Sequence, residues 1–193
     1  MKRCAWAMHH EEDIKYHDEE WGTPNTDDRY LFMMLCLEGQ QAGLSWITIL
    51  KRRESMKRAY AEFDPVKLSS FKSDDVDRLL EDPGIIRHKL KVEAVISNAK
   101  AYLKLIEETG SLSDYLWSKV DYQAIVNHYD DYSQVPAQTQ LSQEISKDLK
   151  KRGFKFVGPT IIYAFMQAVG MVNDHDSDCF KKELDKNVTV KRG

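Results

Sequence analysis

Residues 34–46 read MLCLEGQQAGLSW, and they put a carboxylate where a core residue belongs. Leu31, Met34 and Leu35 recur at the spacing of an apolar helix stripe, and Glu38 is the next position of that stripe. A carboxylate turned toward a core is costly unless something pairs with it. Three uses fit such a group: an acceptor for the N–H groups of a bound base, a general base, or a structural carboxylate. The Gly-Gln-Gln-Ala-Gly that follows reads either as a helix connector or as a loop that enters another molecule. Periodicity does not choose among these.

Three further constellations can carry chemistry. Trp6, Tyr16, Trp21 and Trp46 crowd the first 46 residues around Glu38. Flat rings either fill a core or stack on a flat ligand such as a nucleobase. Cys4 and His17 form one Cys/His pair, and His175 and Cys179 form a second. The second pair is four residues apart and would share a helix face if that segment were helical. Together they make a Cys2His2 set, the donors of a closed structural zinc shell that would join the two ends of the chain. On spacing alone the signal is weak, because Cys-x12-His is not a familiar finger spacing, and four unrelated polar residues are the simpler reading. Finally, LKKRGFKFVGPTIIYAF (149–165) offers a glycine-bounded turn with Pro159 ready for the first turn of a helix. Lys150, Lys151, Arg152 and Lys155 surround it. It reads as a backbone clamp for DNA or as a tight turn between core helices.

The elements that must position these residues are helical. Asp27 or Asp28 can cap a helix running to about Gly39, and Ser45 can cap the next, which ends near Phe63-Asp64-Pro65. SDDVDRLLEDPG has an acidic first turn. HKLKVEAVISNAKAYLKLIEETG carries a long 3.6-residue pattern and stops at Gly110. SLSDYLWSKV, SQEISKDLKKRG and TIIYAFMQAVG complete the set. Alternating strand patterns are nearly absent, and Val188 to Val190 is the one weak strand candidate. The class is mainly α.

With 193 residues the chain suggests one domain, or two small lobes sharing a cleft, with a core that needs no staples. Hydrophobic residues make up 42%, as in ordinary globular proteins. No apolar run approaches a membrane span and no secretory signal opens the chain, so a cytoplasmic location is expected. Three cysteines argue against a disulfide framework, and Cys36 reads as a small buried apolar group. The net charge of −3 does not advertise nucleic-acid binding, but residues 147–155 hold five Lys or Arg against one Asp. Arg52 and Arg53 beside Lys51 form a second dense spot. A basic patch on a nearly neutral protein suits a partner gripped at one face, and a solvated helix face is the simpler alternative.

Several blocks, in order, resemble the bacterial Tag family of 3-methyladenine DNA glycosylases. They are RCAW (3–6), YHDEEWGTP (16–24), LCLEGQQAGLSWITIL (35–50), FDPVK (63–67), GIIRHKLKVEAVISNAKAY (84–102) and LKKRGFKFVGPTIIYAFMQAVGMVNDH (149–175). The resemblance implies the helix-hairpin-helix glycosylase fold, with a base pocket between two helical lobes. One domain over 1–193 would divide into a lobe of about 1–30 with 150–193 and a lobe of about 31–149. It implies flipping and hydrolytic excision of 3-methyladenine from double-stranded alkylated DNA by a monomer.

The same resemblance assigns residues. Cys4, His17, His175 and Cys179 would ligate a structural Zn2+. Glu38 would accept hydrogen bonds from the base and is the candidate catalytic group. Tyr16 and Trp46 would stack on the base, with Trp6 and Trp21 shaping the pocket. Gly43 and Leu44 would enter the DNA, and Gly153, Lys155 and Gly158 would lie on its backbone. A catalytic Asp after the clamp and a nucleophilic Lys, present in some helix-hairpin-helix glycosylases, are not implied here, so a monofunctional enzyme without strand cleavage is expected. The segment from Phe180 to Gly193 is expected to be surface or partly mobile.

Overall fold

A computed structural model describes residues 1–184 and 189–191. The described residues form α1 (Glu11–Glu19), α2 (Asp28–Gln41), α3 (Trp46–Ala59), α4 (Pro65–Ser69), α5 (Ser73–Glu81), α6 (Lys89–Thr109), α7 (Leu112–Trp117), α8 (Gln140–Lys151), α9 (Pro159–Ala168) and α10 (Phe180–Leu184). Two short strands, β1 (Ile125–Val126) and β2 (Val172–Asn173), pair in parallel with Ile125 opposite Val172.

Helix α2 is the centre of the molecule. Every residue from Leu31 to Gln40 is buried, and the helix packs on α3, α6, α7 and α9. Its amphipathic stripe is therefore only part of the story, because neighbours cover it on all sides. Asp27 caps it by accepting from the Tyr30 N–H at 2.7 Å. Asp28 serves a different helix: its carboxylate accepts from the Leu112 and Ser113 N–H groups at the start of α7 and from the Tyr102 hydroxyl.

Several expected boundaries move. Helix α2 runs past Gly39 to Gln41, so that glycine is not a stop. A Cβ on Gly39 would lie 3.1 Å from Phe156 Cβ and 3.2 Å from the Phe156 carbonyl oxygen. The glycine is there because the α8–α9 turn crosses α2 at backbone distance. Helix α3 stops at Ala59, and a left-handed turn at Ala61, Glu62 and Phe63 breaks the path to α4. Asp64 caps α4 through the Val66 and Lys67 N–H groups, with Pro65 in the first turn. That Asp-Pro start signal and the helix α1 were both open to sequence reading and went unused.

The expectation of a surface or partly mobile segment from Phe180 to Gly193 is corrected in part; residues 185–188 and 192–193 of it lie outside the described residues, and Glu183, Leu184, Thr189 and Lys191 are exposed. Phe180–Leu184 is helical, Lys181 and Lys182 are buried, and Lys182 Nζ donates to the His175 carbonyl at 3.0 Å. The buried Val190 donates its N–H to the Tyr122 carbonyl, and Thr189 forms an isolated antiparallel bridge with Gln123. Of the Val188 to Val190 strand candidate, Val188 lies outside the described residues, and Thr189 contributes that single bridge. The two real strands escaped the sequence because two-residue strands have no period to detect.

Candidate functional site

A cavity of about 220 Å³ is lined by Trp6, Tyr16, Trp21, Glu38, Gln41, Trp46, Tyr132, Ala164 and Gln167. It therefore gathers Glu38 and all four expected aromatic residues. Helix α1 supplies Tyr16, the turn after it Trp21, α2 Glu38, and the first position of α3 Trp46. Tyr16 and Trp46 lie with ring centroids 5.4 Å apart, tilted by 47°. Trp6 meets Trp21 edge-on at 5.0 Å.

Glu38 is 4% exposed, and no hydrogen bond or ion pair reaches it among the described residues. Burial pushes its carboxyl up to about 8. Burial thus favours the neutral carboxyl near neutral pH, a refinement of the simple carboxylate the sequence suggests. Burial, and then Glu38, also raise the Tyr16 hydroxyl well above its ordinary range, so it stays a hydrogen-bond donor. The Tyr16 hydroxyl, Trp6 Nε1 and Trp46 Nε1 are buried without a partner among the described residues. Buried polar groups are nearly always paired, so three orphans on the walls of one cavity mark unspent capacity for a ligand.

Tyr132, Gln41, Ala164 and Gln167 were missed by sequence reading. Tyr132 arrives from the turn Tyr132–Gln134, and its ring centroid lies 6.2 Å from that of Trp21 and 6.4 Å from that of Trp6. A lone tyrosine in an irregular stretch carries no local signal. Gln167 sits in the apolar run of α9, and a polar residue in such a run was the available clue.

Cys4, His17, His175 and Cys179 converge, with one ligand atom from each lying within 4.8 Å of the others. The pair His175 and Cys179 does not share a helix. The chain turns between β2 and α10, and the Cys179 N–H donates to the Asp176 carbonyl. Each histidine has its outer nitrogen committed. His17 Nδ1 lies 2.9 Å from Asp18 Oδ1 and His175 Nε2 lies 3.1 Å from the Trp21 carbonyl. Both partners only accept, so each ring carries its proton on the outside and turns a lone pair inward. Arg3 in turn holds Asp18 at 2.7 Å.

Gly43 and Leu44 lie in the turn between α2 and α3. Gly43 has φ +76°, and Leu44 is one of the exposed large hydrophobic residues. The α8–α9 turn follows the expected plan. Helix α8 closes with the Phe154 N–H on the Leu149 carbonyl and the Gly153 N–H on the Lys150 carbonyl. Gly153 takes φ +94°, a conformation that favours glycine. Gly158 is the N-cap of α9. Asn98 grips Lys155 from both sides, accepting from its N–H at 2.7 Å and donating to its carbonyl at 3.1 Å. The basic set is smaller than expected. Arg152 is turned back onto Glu108 and Asp148, Arg53 onto Glu20, and Arg52 onto the Pro83 and Ile85 carbonyls.

An aromatic cavity with a buried carboxyl on its wall has the size and the chemistry to hold one small planar ring. Comparison with known proteins gives such a cavity a family. The family model described as methyladenine glycosylase matches residues 6–182. The chain is 51% identical over 179 residues to DNA-3-methyladenine glycosylase 1 of Escherichia coli K12, covering 93% of this chain and 96% of that protein. It is 49% identical to DNA-3-methyladenine glycosylase of Haemophilus influenzae, covering 92% and 96%. A solved structure of the Y16F variant of a 3-methyladenine DNA glycosylase I in complex with 3-methyladenine superposes with a TM-score of 0.91 at 38% identity, covering 94% of this chain and 98% of that one. The chain belongs to the methyladenine glycosylase family.

Proposed function

We propose that this protein excises 3-methyladenine from alkylated double-stranded DNA by hydrolysing the N-glycosidic bond, leaving an abasic site. The observation that carries the reading is Glu38, buried and unpaired on the wall of an aromatic cavity. Methylation at N3 makes the base of the nucleoside a cation, which is already a good leaving group and needs little acid catalysis. The protein's tasks are then to flip the nucleotide, favour the cationic base and position water.

Flipping costs a few kcal/mol. Stacking on Tyr16 and Trp46 returns about 1–3 kcal/mol, and a cation over an indole adds to that. Glu38 supplies selectivity. A cation entering the cavity drives the carboxyl to its ionised form, and the pair gains far more in a low-dielectric pocket than neutral adenine can. Leu44, exposed at the turn beside Trp46, is apolar and suited to the space the flipped base leaves. The α8–α9 turn, with Gly153, Lys155 and Gly158, suits a helix-hairpin-helix grip on the phosphate backbone. Under the two-lobe plan the cavity lining would come from both halves, Trp6, Tyr16, Trp21, Ala164 and Gln167 from one and Glu38, Gln41, Trp46 and Tyr132 from the other.

The Cys/His cluster fits a structural Zn2+. Zinc–sulfur and zinc–nitrogen bonds of about 2.3 and 2.0–2.1 Å imply a tetrahedral sulfur–nitrogen edge of about 3.6 Å; three of the four such distances here are 3.4, 3.5 and 3.6 Å, within a set of ligand atoms that spreads to 4.8 Å. Four protein donors leave no open position, so the metal would staple the chain ends and take no part in the reaction.

Incubating the purified protein with methylated duplex DNA and resolving the released bases tests this reading. Free 3-methyladenine with intact abasic strands is the expected result. DNA retention without any released base would make the protein a non-catalytic DNA-binding module instead.

A further inference from the structure

Asp174 is nearly fully buried, and it anchors a hydrogen-bond network that ends on the cavity wall. Its Oδ2 accepts from the Tyr163 hydroxyl at 2.6 Å and from Gln167 Nε2 at 2.8 Å, and its Oδ1 accepts from Asn127 Nδ2 at 2.7 Å. Three donors converge on one carboxylate, and a carboxylate only accepts. The orientation of the Gln167 amide follows: its NH2 must face Asp174. A flipped amide would set oxygen against oxygen in a buried site, where an unpaired or repelled polar group is costly. The Gln167 oxygen is therefore left on the cavity side, where its one donor among the described residues is the Tyr132 hydroxyl, in a long contact at 3.4 Å. A carbonyl oxygen has two lone pairs, so it retains room for a further donor.

We propose that Gln167, locked by Asp174, is a specificity-determining acceptor that receives the exocyclic amino group of the excised base. This deepens the excision reading and rests on it. An exocyclic NH2 carries two hydrogens, and the cavity then offers two acceptors for it, Glu38 and Gln167 Oε1. A 6-oxo purine presents an acceptor at the same position. The Gln167 oxygen would face that oxygen with no proton between them, and the locked amide cannot rotate to compensate. A free glutamine would turn its NH2 to the oxo group and accept both purines. The lock converts an adaptable side chain into a discriminating one.

The ratio of 3-methyladenine to 3-methylguanine released from one methylated DNA sample reads this directly. Gln167→Met keeps the length of the side chain and removes the acceptor. Its ratio should fall about tenfold, the worth of one buried hydrogen bond. Asp174→Asn keeps Gln167 but lets its amide rotate, and the ratio should fall through increased 3-methylguanine release. Tyr132→Phe removes the competing donor at a partly exposed position and should hold or raise the ratio. It also keeps the test available if the buried variants fold poorly. A purely structural role would lower both products together, so unchanged ratios in folded Gln167→Met and Asp174→Asn, or a fall in Tyr132→Phe, overturn the proposal. No 3-methyladenine release by the unsubstituted protein would overturn the parent reading first, which is a distinguishable result.

Discussion

Lys91 Nζ donates to the carbonyls of Gln40 and Ala42 at 2.7 and 2.6 Å, while Gln40 Nε2 donates back to the Lys91 carbonyl at 2.9 Å. This reciprocal clasp ties the start of α6 to the end of α2. The ammonium is buried, and burial lowers its pKa. It neutralises carbonyls that the end of a helix leaves unpaired. Ala42 immediately precedes Gly43 and Leu44, so the clasp fixes where that turn projects.

Lys91→Met keeps the aliphatic stem and removes the donors. If Leu44 works by entering DNA, excision from duplex DNA should drop about tenfold to a hundredfold, as expected for a misplaced positioning element. Affinity for free 3-methyladenine, which needs only the cavity, should hold. Stability should fall by about 2 kcal/mol, the scale of a lost hydrogen bond to a charged group. Parallel loss of free-base binding would show instead that Lys91 supports the whole cavity.

If Glu38 serves the proposed excision, it should make stability and activity depend on pH in opposite senses. Its folded value of about 8 lies above the ordinary 4.5. The folded state therefore holds this proton more tightly, and stability from this site declines as pH rises from about 4.5 to beyond 8. Glu38→Gln removes the ionisation. Its Tm should match that of the parent protein near pH 5 and exceed it by several degrees near pH 9. Excision should move the other way. In the parent protein kcat/KM for the cationic base should rise toward pH 8, and in Glu38→Gln it should be low and flat. A Tm difference that does not grow with pH would show that Glu38 finds a partner in the folded protein.

The site was more legible in the sequence than the fold around it, for a physical reason. Chemistry-bearing residues announce themselves by type, as a carboxylate on an apolar stripe and three tryptophans in 46 residues do, whereas the two Cys/His pairs were favoured as one set only by the family resemblance. Glu38 stood out because burial of an acid is costly wherever it occurs. Connections are legible only where turn chemistry is local. The Gly153 turn is set by its own helix end and was readable. The Ala61 to Phe63 turn uses residues with no left-handed preference and was not. Gly39 shows the limit most clearly. Its meaning depends on Phe156, more than a hundred residues away, so no window along the chain could distinguish a helix stop from a crossing point. Tyr132 and Gln167 joined the cavity in the same way, through contacts made only after folding.

Lys155 is exposed, and Asn98 fixes the backbone on either side of it. It is absent from the lining of the aromatic cavity. A lysine that attacks the sugar must reach the reacting carbon. Borohydride treatment of the protein on abasic DNA should therefore trap no covalent adduct. Lys155→Ala should weaken DNA binding evenly across sequences and reduce the salt dependence by about one phosphate contact. A trapped adduct that disappears in Lys155→Ala would overturn the monofunctional reading.

The Cys/His cluster joins two places far apart in the chain and also touches the cavity walls. His175 binds the Trp21 carbonyl, and the Trp6 ring packs edge-on against His17 at 5.6 Å. If the cluster holds Zn2+, its loss releases a loop of nearly the whole chain and loosens two of the aromatic walls. Elemental analysis of purified protein should find close to one zinc per chain. Stripping it with a chelator should lower Tm by several degrees or more, change tryptophan fluorescence and weaken free-base binding, and added Zn2+ should restore all three. Cys179→Ser should behave like the stripped protein and resist restoration. A metal-free protein with unaltered Tm and base affinity would reduce the cluster to a packed set of polar side chains, held by the hydrogen bonds from His17 to Asp18 and from His175 to Trp21.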